Sequence, residues 1–293
     1  MKFTLLIPVM RKPTLRQSLQ YYARLVPDLI ERIVVVDYDY AFSQHHGLYE
    51  LPAKVPHLKV DIEGETYFNK SGAINLGVAL SEARNVICCD ADVLIDVETI
   101  SSWAQTFLEQ PSADIALMPN KMVETADGRT RPAPGIVAFR AQSFIAVEGY
   151  SSEFIGWGFE DRDFLWRLDR AGIRVINMGS AAHISHGELE RTQNYPPADS
   201  GGPVDALTAR LKMRERNLLL FAARKEKQIT AGSLFEDLAR YGLEGHWEHA
   251  ANGSHDRGRF CVVGAGAGPS RTGASLIKLT QRHKVAQSAT WGA

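Results

Sequence analysis

The chain has 293 residues, 33 Lys and Arg against 34 Asp and Glu, and a formal net charge of −1. That balance excludes a polycationic nucleic-acid coat and an acidic tail protein, and a content of 45% hydrophobic and 23% charged residues excludes wholesale disorder. No apolar run approaches the roughly 20 residues of a membrane span, and the apolar start is too short for a secretory signal. Three cysteines, Cys88, Cys89 and Cys261, suggest neither a disulfide framework nor a zinc knuckle, so the expectation is a reducing, cytoplasmic setting.

Taken in order, short apolar runs predict strands over Phe3–Val9, Arg32–Asp37, Leu58–Asp61, Val86–Asp90, Ile115–Met118, Gly135–Phe139 and Arg174–Met178. Continuous apolar runs suit strands covered on both faces. Helical patterns fall between them, over Leu15–Val26 with Thr14 as a cap, Gly72–Ala83, Val97–Leu108, and Arg162–Ala171 ending at Gly172. The alternation implies an α/β architecture with a mostly parallel sheet flanked by helices. The Pro- and Gly-rich stretch Thr192–Pro203 reads as a linker, which divides the chain into a domain over 1–195 and an extension over 196–293. A long helix is predicted over Val204–Lys227, with Leu207, Leu211, Leu218 and Phe221 as its apolar stripe. Arg210, Lys212, Arg214 and Arg216 crowd one part of it, either as a solvated face or as a contact for an anionic acceptor, lipid headgroup or partner. The Gly-rich run after Phe260 lacks a P-loop lysine and reads as a turn-rich or flexible tail.

Three constellations carry chemistry. The apolar strand at Val86 runs into Asp90-Ala91-Asp92, and ligands of α/β sheets sit outside the carboxyl ends of strands. Two hard oxygen donors there suit Mg²⁺ or Mn²⁺ shared with a substrate phosphate. In Gly156-Trp157-Gly158-Phe159-Glu160-Asp161, glycines flank an indole suited to a sugar face, and an acidic pair follows at a helix start. That pair can take an acceptor proton, or it can simply complement the helix N-terminus beside a core tryptophan. Finally, His183 and His186 are three apart among small residues, and imidazole is a common ligand of Mn²⁺ and related ions.

The order of these elements resembles the GT-A-fold glycosyltransferases. The sequence runs from Ile7-Pro8-Val9 through Val34-Val-Val-Asp37, Phe68-Asn-Lys-Ser-Gly-Ala-Ile-Asn75 and Asp90-Ala91-Asp92 to Gly156-Trp-Gly-Phe-Glu-Asp161 and His183-Ile-Ser-His186. Over about residues 1–190 it is similar to the family 2 enzymes, and it shares Trp-Gly-x-Glu-Asp with galactosyltransferase domains of the β-1,4 type. The resemblance implies a Rossmann-like, nucleotide-sugar-binding mixed sheet with a helical C-terminal extension. It implies that Pro8, Val9, Arg11, Asp37, Lys70, Asn75, Asp90 and Ala91 contact the donor, with Asp37 on the uracil edge. Asp92 and His186 would ligate the metal, with His183 a competing ligand. Asp161 would be the catalytic base, with Glu160 beside it in the catalytic pair as a hydrogen-bonding group for the acceptor or donor sugar, and Trp157 and Gly158 would meet the acceptor. The chain departs from the family at Asp37, where Tyr38-Asp39-Tyr40 follows in place of a run of the Asp-Asp-Gly-Ser type.

The reaction so implied is Mn²⁺- or Mg²⁺-dependent transfer from a nucleotide-diphosphate sugar, most commonly a UDP-sugar, to a hydroxyl or thiol. Asp rather than Asn at position 161 favours inversion. The acceptor stays open among saccharide, lipid, small molecule and peptide. Nucleic acid and a membrane span are not expected, although peripheral membrane contact stays open. Two other readings are a sugar-1-phosphate nucleotidylyltransferase, against which the glycine-free Pro8-Val-Met-Arg-Lys-Pro13 speaks, and a non-catalytic nucleotide-sugar-binding subunit.

Overall fold

A computed structural model describes residues 1–52, 54–111, 114–187, 189–190, 193–195, 205–248, 259–263 and 274–280. The first half runs β1 (Phe3–Val9), α1 (Leu15–Ala23), β2 (Ile30–Asp37), α2 (Tyr40–His45), β3 (His57–Glu63), α3 (Lys70–Ser81), β4 (Asn85–Cys88), β5 (Val93–Ile95) and α4 (Val97–Glu109). It continues through β6 (Ile115–Met118), β7 (Lys121–Glu124), β8 (Thr130–Arg131), β9 (Val137–Arg140), α5 (Ala141–Ala146), α6 (Glu160–Arg170), β10 (Arg174–Asn177) and β11 (Ser180–His183). The remainder holds α7 (Ala206–Glu226), α8 (Leu234–Arg240), β12 (Glu244–Glu248), β13 (Arg259–Val263) and β14 (Ala274–Thr280).

Eight strands form the central sheet in the order β10-β6-β9-β4-β1-β2-β3-β14. All neighbours are parallel except β9, which runs antiparallel to both β4 and β6, so the sheet is mixed. Side chains alternate between two cores. In β1, Leu6 faces one core, with α3, α5, α6 and α8, while Phe3, Leu5, Ile7 and Val9 face the other, with α1 and α4. Burial on both faces explains the continuous apolar runs. Helix α3 lies close against the sheet because Gly77 has no side chain: a Cβ there would stand 2.3 Å from Leu6 Cδ1.

A second sheet, β5-β11-β7-β8, stands beside the carboxyl end of β4. Its strands are too short, at two to four residues, to show periodicity in sequence. No helix among the described residues is long and apolar enough to cross a membrane.

Three sequence expectations change. Thr14 occupies the cap position of α1 but makes no capping hydrogen bond. In α7 the predicted stripe is turned outward: Leu207, Leu211 and Leu218 are exposed, and Met213, Asn217 and Arg224 are the buried positions. The buried face is polar because it meets polar groups of α6 and its preceding loop, which a hydrophobicity pattern does not register. The extension is also not wholly helical, since β14 pairs in parallel with β3 as an edge of the central sheet and β12 pairs with β13. Most of the Gly-rich run, 264–273, and most of the expected linker lie outside the described residues.

Candidate active site

A cleft of about 340 Å³ opens at the carboxyl ends of β1 and β4. Its wall takes Pro8, Val9, Met10 and Lys12 after β1, Phe68 and Lys70 at the start of α3, and Asp90, Ala91 and Asp92 after β4. It also takes Arg131 to Ile136, Trp157 to Arg162, His183, His186, Glu190, Asn194, Tyr195 and Arg214. The cleft therefore joins both acidic motifs and the histidine pair, which are far apart in sequence.

Two clusters divide it. In the first, Lys70 Nζ is 3.0 Å from Asp90 Oδ1, 3.2 Å from Asp161 Oδ2 and 3.7 Å from Glu160 Oε1. Lys70 is placed by α3, whose cap residue Asn69 accepts a hydrogen bond from Gly72 N–H at 2.9 Å. Burial opposes the ammonium charge, but Asp161, Asp90 and Glu160 together hold its pKa well above the ordinary lysine value. Glu160 and Asp161 open α6, where carboxylates complement the helix dipole. Burial first, and then Asp161, push the Glu160 carboxyl up to about 8, and its Oε2 is buried without a hydrogen-bond partner. Gly135 roofs this cluster: a Cβ there would lie 3.0 Å from both Asp90 Oδ2 and Lys70 Nζ.

In the second cluster, Asp92 Oδ2 is 2.7 Å from His186 Nε2 and 3.7 Å from His183 Nε2. Asp92 sits in the turn between β4 and β5, and its carbonyl accepts from Ile184 N–H, which ties it to the end of β11. Burial would raise the Asp92 pKa, but the neighbouring His183 and the hydrogen-bonded His186 hold it well below the usual carboxylate range. One ligand atom from each of these three residues lies within 4.8 Å of the others. Two imidazole nitrogens and one carboxylate oxygen so converged fit a divalent transition ion such as Mn²⁺.

The loop carrying Trp157 is held from above by α7. Asn217 Nδ2 donates to the Gly158 carbonyl at 2.8 Å, Met213 fills the space beside Gly156, and Phe221 packs on Phe159. Arg210 stacks 5.0 Å from the Trp157 ring centre. Phe159 has φ 72°, a left-handed conformation costly for a bulky residue, so this clamp maintains a strained turn directly before Glu160. Helix α7 is itself anchored to α6 by Arg224, whose Nε is 3.1 Å from the fully buried Asp163.

Three of the residues expected at the donor are not brought to the cleft. Asn75 is fully buried and satisfied: it donates to the Tyr150 carbonyl and to Asp237, and accepts from Tyr150 N–H, so it fixes the loop before Trp157 to α3 and α8. Asp37 is buried at the end of β2, accepting from Tyr49 Oη at 2.6 Å and from Asp39 N–H. Burial raises its pKa, while those hydrogen bonds oppose the shift. Arg11, at φ 50°, turns outward to pair with Asp39 at 2.6 Å. Sequence reasoning missed Lys12, Arg131, Gly135, Asn194 and Tyr195. Gly135 stood in the sequence as the start of a predicted strand, and nothing local placed it over Lys70. The strap at 193–195 is fixed by long-range bonds, Phe68 N–H to the Asn194 carbonyl and Asn194 Nδ2 to the Met10 carbonyl.

A family model described as the N-terminal domain of galactosyltransferase matches residues 127–188. Among solved structures, the chain is similar to GalNAc-T7 with UDP, GalNAc and Mn²⁺, at 14% identity over 78% of this chain and 51% of that one, with a TM-score of 0.51. It is also similar to Staphylococcus aureus TarS 1–349 in complex with UDP-GlcNAc, at 16% identity over 64% and 59%, with a TM-score of 0.50. A Drosophila β-1,4-galactosyltransferase 7 complex with manganese, UDP-Gal and xylobiose aligns over 96% and 94% at 16% identity and a TM-score of 0.46. The chain spans 37% of a longer TarS structure. No curated protein matches it. The fold is GT-A, as the order of motifs implied.

Proposed function

We propose that this GT-A-fold glycosyltransferase moves a sugar from a UDP-sugar to an acceptor hydroxyl or thiol with inversion, in a metal-dependent reaction. The observation that carries the reading is the convergence of Asp92, His183 and His186 in the same cleft as Asp161. The first three would hold Mn²⁺ or Mg²⁺, and when bound that ion supplies charge stabilisation to a leaving diphosphate.

The remaining work falls to the chain itself. Pro8, Val9 and Ala91 line the cleft beside the metal ligands and would form the donor floor. Trp157 and Gly158 would present the acceptor. Asp161 accepts the proton of the acceptor hydroxyl as its oxygen forms a bond to the anomeric carbon. The bond from that carbon to the diphosphate oxygen breaks on the opposite face, and its electron pair leaves with the nucleotide. Lys70, with its Nζ 3.2 Å from Asp161 Oδ2, holds that carboxylate in place by an ion pair. Glu160, whose carboxyl pKa burial and Asp161 push upward, would hydrogen-bond a sugar oxygen beside it.

A panel of nucleotide sugars with Mn²⁺, scored by released nucleotide, tests the reading. Release from at least one UDP-sugar, abolished by chelator and restored by Mn²⁺, is expected. Undiminished release in excess chelator contradicts metal dependence, and release of pyrophosphate from a nucleoside triphosphate plus sugar phosphate identifies a nucleotidylyltransferase instead.

A further inference from the structure

The carboxylate of Glu124 is unused by the reaction above, yet it is the one acid in the strands of the second sheet. Parallel pairing of β7 with β11 sets Glu124 opposite His183. Its Oε2 lies 2.7 Å from His183 Nδ1 and accepts from Ser185 Oγ at 2.8 Å, while its Oε1 is 2.6 Å from Arg131 Nε. Arg131 comes from β8, the neighbour of β7 on its other side. Only 13% of the Glu124 side chain is exposed. Three groups thus fix one carboxylate, and that carboxylate contacts the imidazole nitrogen facing away from Asp92.

His186 is supported differently. Among the described residues its Nδ1 meets the Gly187 carbonyl, at 3.2 Å. A backbone carbonyl at that distance orients a ring more loosely than a clamped carboxylate does. A histidine whose Nδ1–H is given to a carboxylate presents its lone pair on Nε2. His183 Nε2 is the nitrogen on the Asp92 side.

We propose that Glu124 is a positioning residue of the metal centre, fixing His183 as the Nδ1–H tautomer and aiming Nε2 at the ion, so that His183 and His186 both ligate. The proposal rests on the metal-dependent reading above. Arg131 balances the charge of Glu124 from the far side, so that the acid orients the ring without itself reaching the ion.

The test is equilibrium binding of Mn²⁺ alone to the nucleotide-free full chain, by electron paramagnetic resonance of free Mn²⁺, for wild type, E124A and E124Q. Loss of a carboxylate behind a ligating histidine costs about 10- to 100-fold in metal affinity. E124A is expected in that range and E124Q, which keeps an acceptor oxygen, at its lower end. Long-range ¹H–¹⁵N spectra of the metal-free proteins are read alongside, because a merely structural role would not move a tautomer. Wild type should show His183 protonated at Nδ1, and E124A should lose that preference. Unchanged Mn²⁺ affinity and an unchanged tautomer in E124Q and E124A overturn the proposal. If E124A fails to fold, E124Q decides alone. Absence of Mn²⁺ binding by wild type overturns the metal-dependent reading, and this inference with it, a result distinct from equal binding by all three proteins.

Discussion

Lys70 Nζ stands 3.2 Å from Asp161 Oδ2, and the same ammonium is shared with Asp90 and Glu160. Removing it strands buried carboxylates against one another. Lys70→Met is expected to cost about 3–5 kcal/mol at pH 7, the usual consequence of breaking a buried ion pair from one side. Urea midpoints at pH 7 and pH 5 check this. The deficit should shrink at pH 5 as Asp90 and Glu160, whose pKa values burial raises, take up protons, and an equal deficit at both values indicates lost packing instead.

Glu160 gives stability a pH slope of its own. Burial and Asp161 push its carboxyl from the ordinary 4.5 up to about 8, so between those values the folded state holds a proton that the unfolded state has released. Stability from this group is present below about pH 4.5 and is lost as pH rises through about 8. Denaturation across pH 5 to 9 should show that decline in wild type. Glu160→Gln should flatten it, and an unchanged slope in the variant assigns the decline to other groups.

Asn217 reaches from α7 to the carbonyl of Gly158, one residue before the strained Phe159. Asn217→Ala leaves the part-buried Gly158 carbonyl without this donor, at about 1–3 kcal/mol. Because Phe159 immediately precedes Glu160 and Asp161, kcat should fall as well, while equilibrium binding of UDP with Mn²⁺ stays near wild type. Loss of UDP binding equal to the loss of kcat contradicts a role confined to the acceptor side.

Gly135 has no side chain where a Cβ would meet Asp90 and Lys70 at 3.0 Å and Asp161 at 3.2 Å. Gly135→Ala should displace those groups by tenths of an ångström. Misplacement by as much as 1 Å is worth about 10²-fold in rate, so a smaller, clear loss of turnover is expected with little change in melting temperature. Full turnover indicates that the three side chains reposition freely.

How much of this was legible in sequence depended on distance along the chain. The inner strands of the central sheet show because they are buried on both faces and so read as apolar runs, as at Val34–Val36 and Val86–Cys88, whereas the edge strand β14 does not show. Asp90, Asp92, Asp161, His183 and His186 show because each falls in a short motif at a strand or helix end. Glu124 does not, since its partner lies 59 residues away and is fixed by pairing between four-residue strands. Asn75 carried a motif signal but fills its hydrogen bonds within the core, and a hydrophobicity stripe on α7 misled because the face meeting the site is Asn217 and Arg224. Sequence registers apolar burial well and satisfied polar burial poorly.

The central claim is that Asp161 receives the acceptor proton beside a bound nucleotide sugar. Its most direct test compares turnover and UDP–Mn²⁺ affinity of Asp161→Asn with wild type, using the donor identified by the nucleotide-sugar panel. Turnover lower by about 10²–10⁴-fold is predicted, with UDP–Mn²⁺ affinity preserved. Near-normal turnover in Asp161→Asn would contradict it.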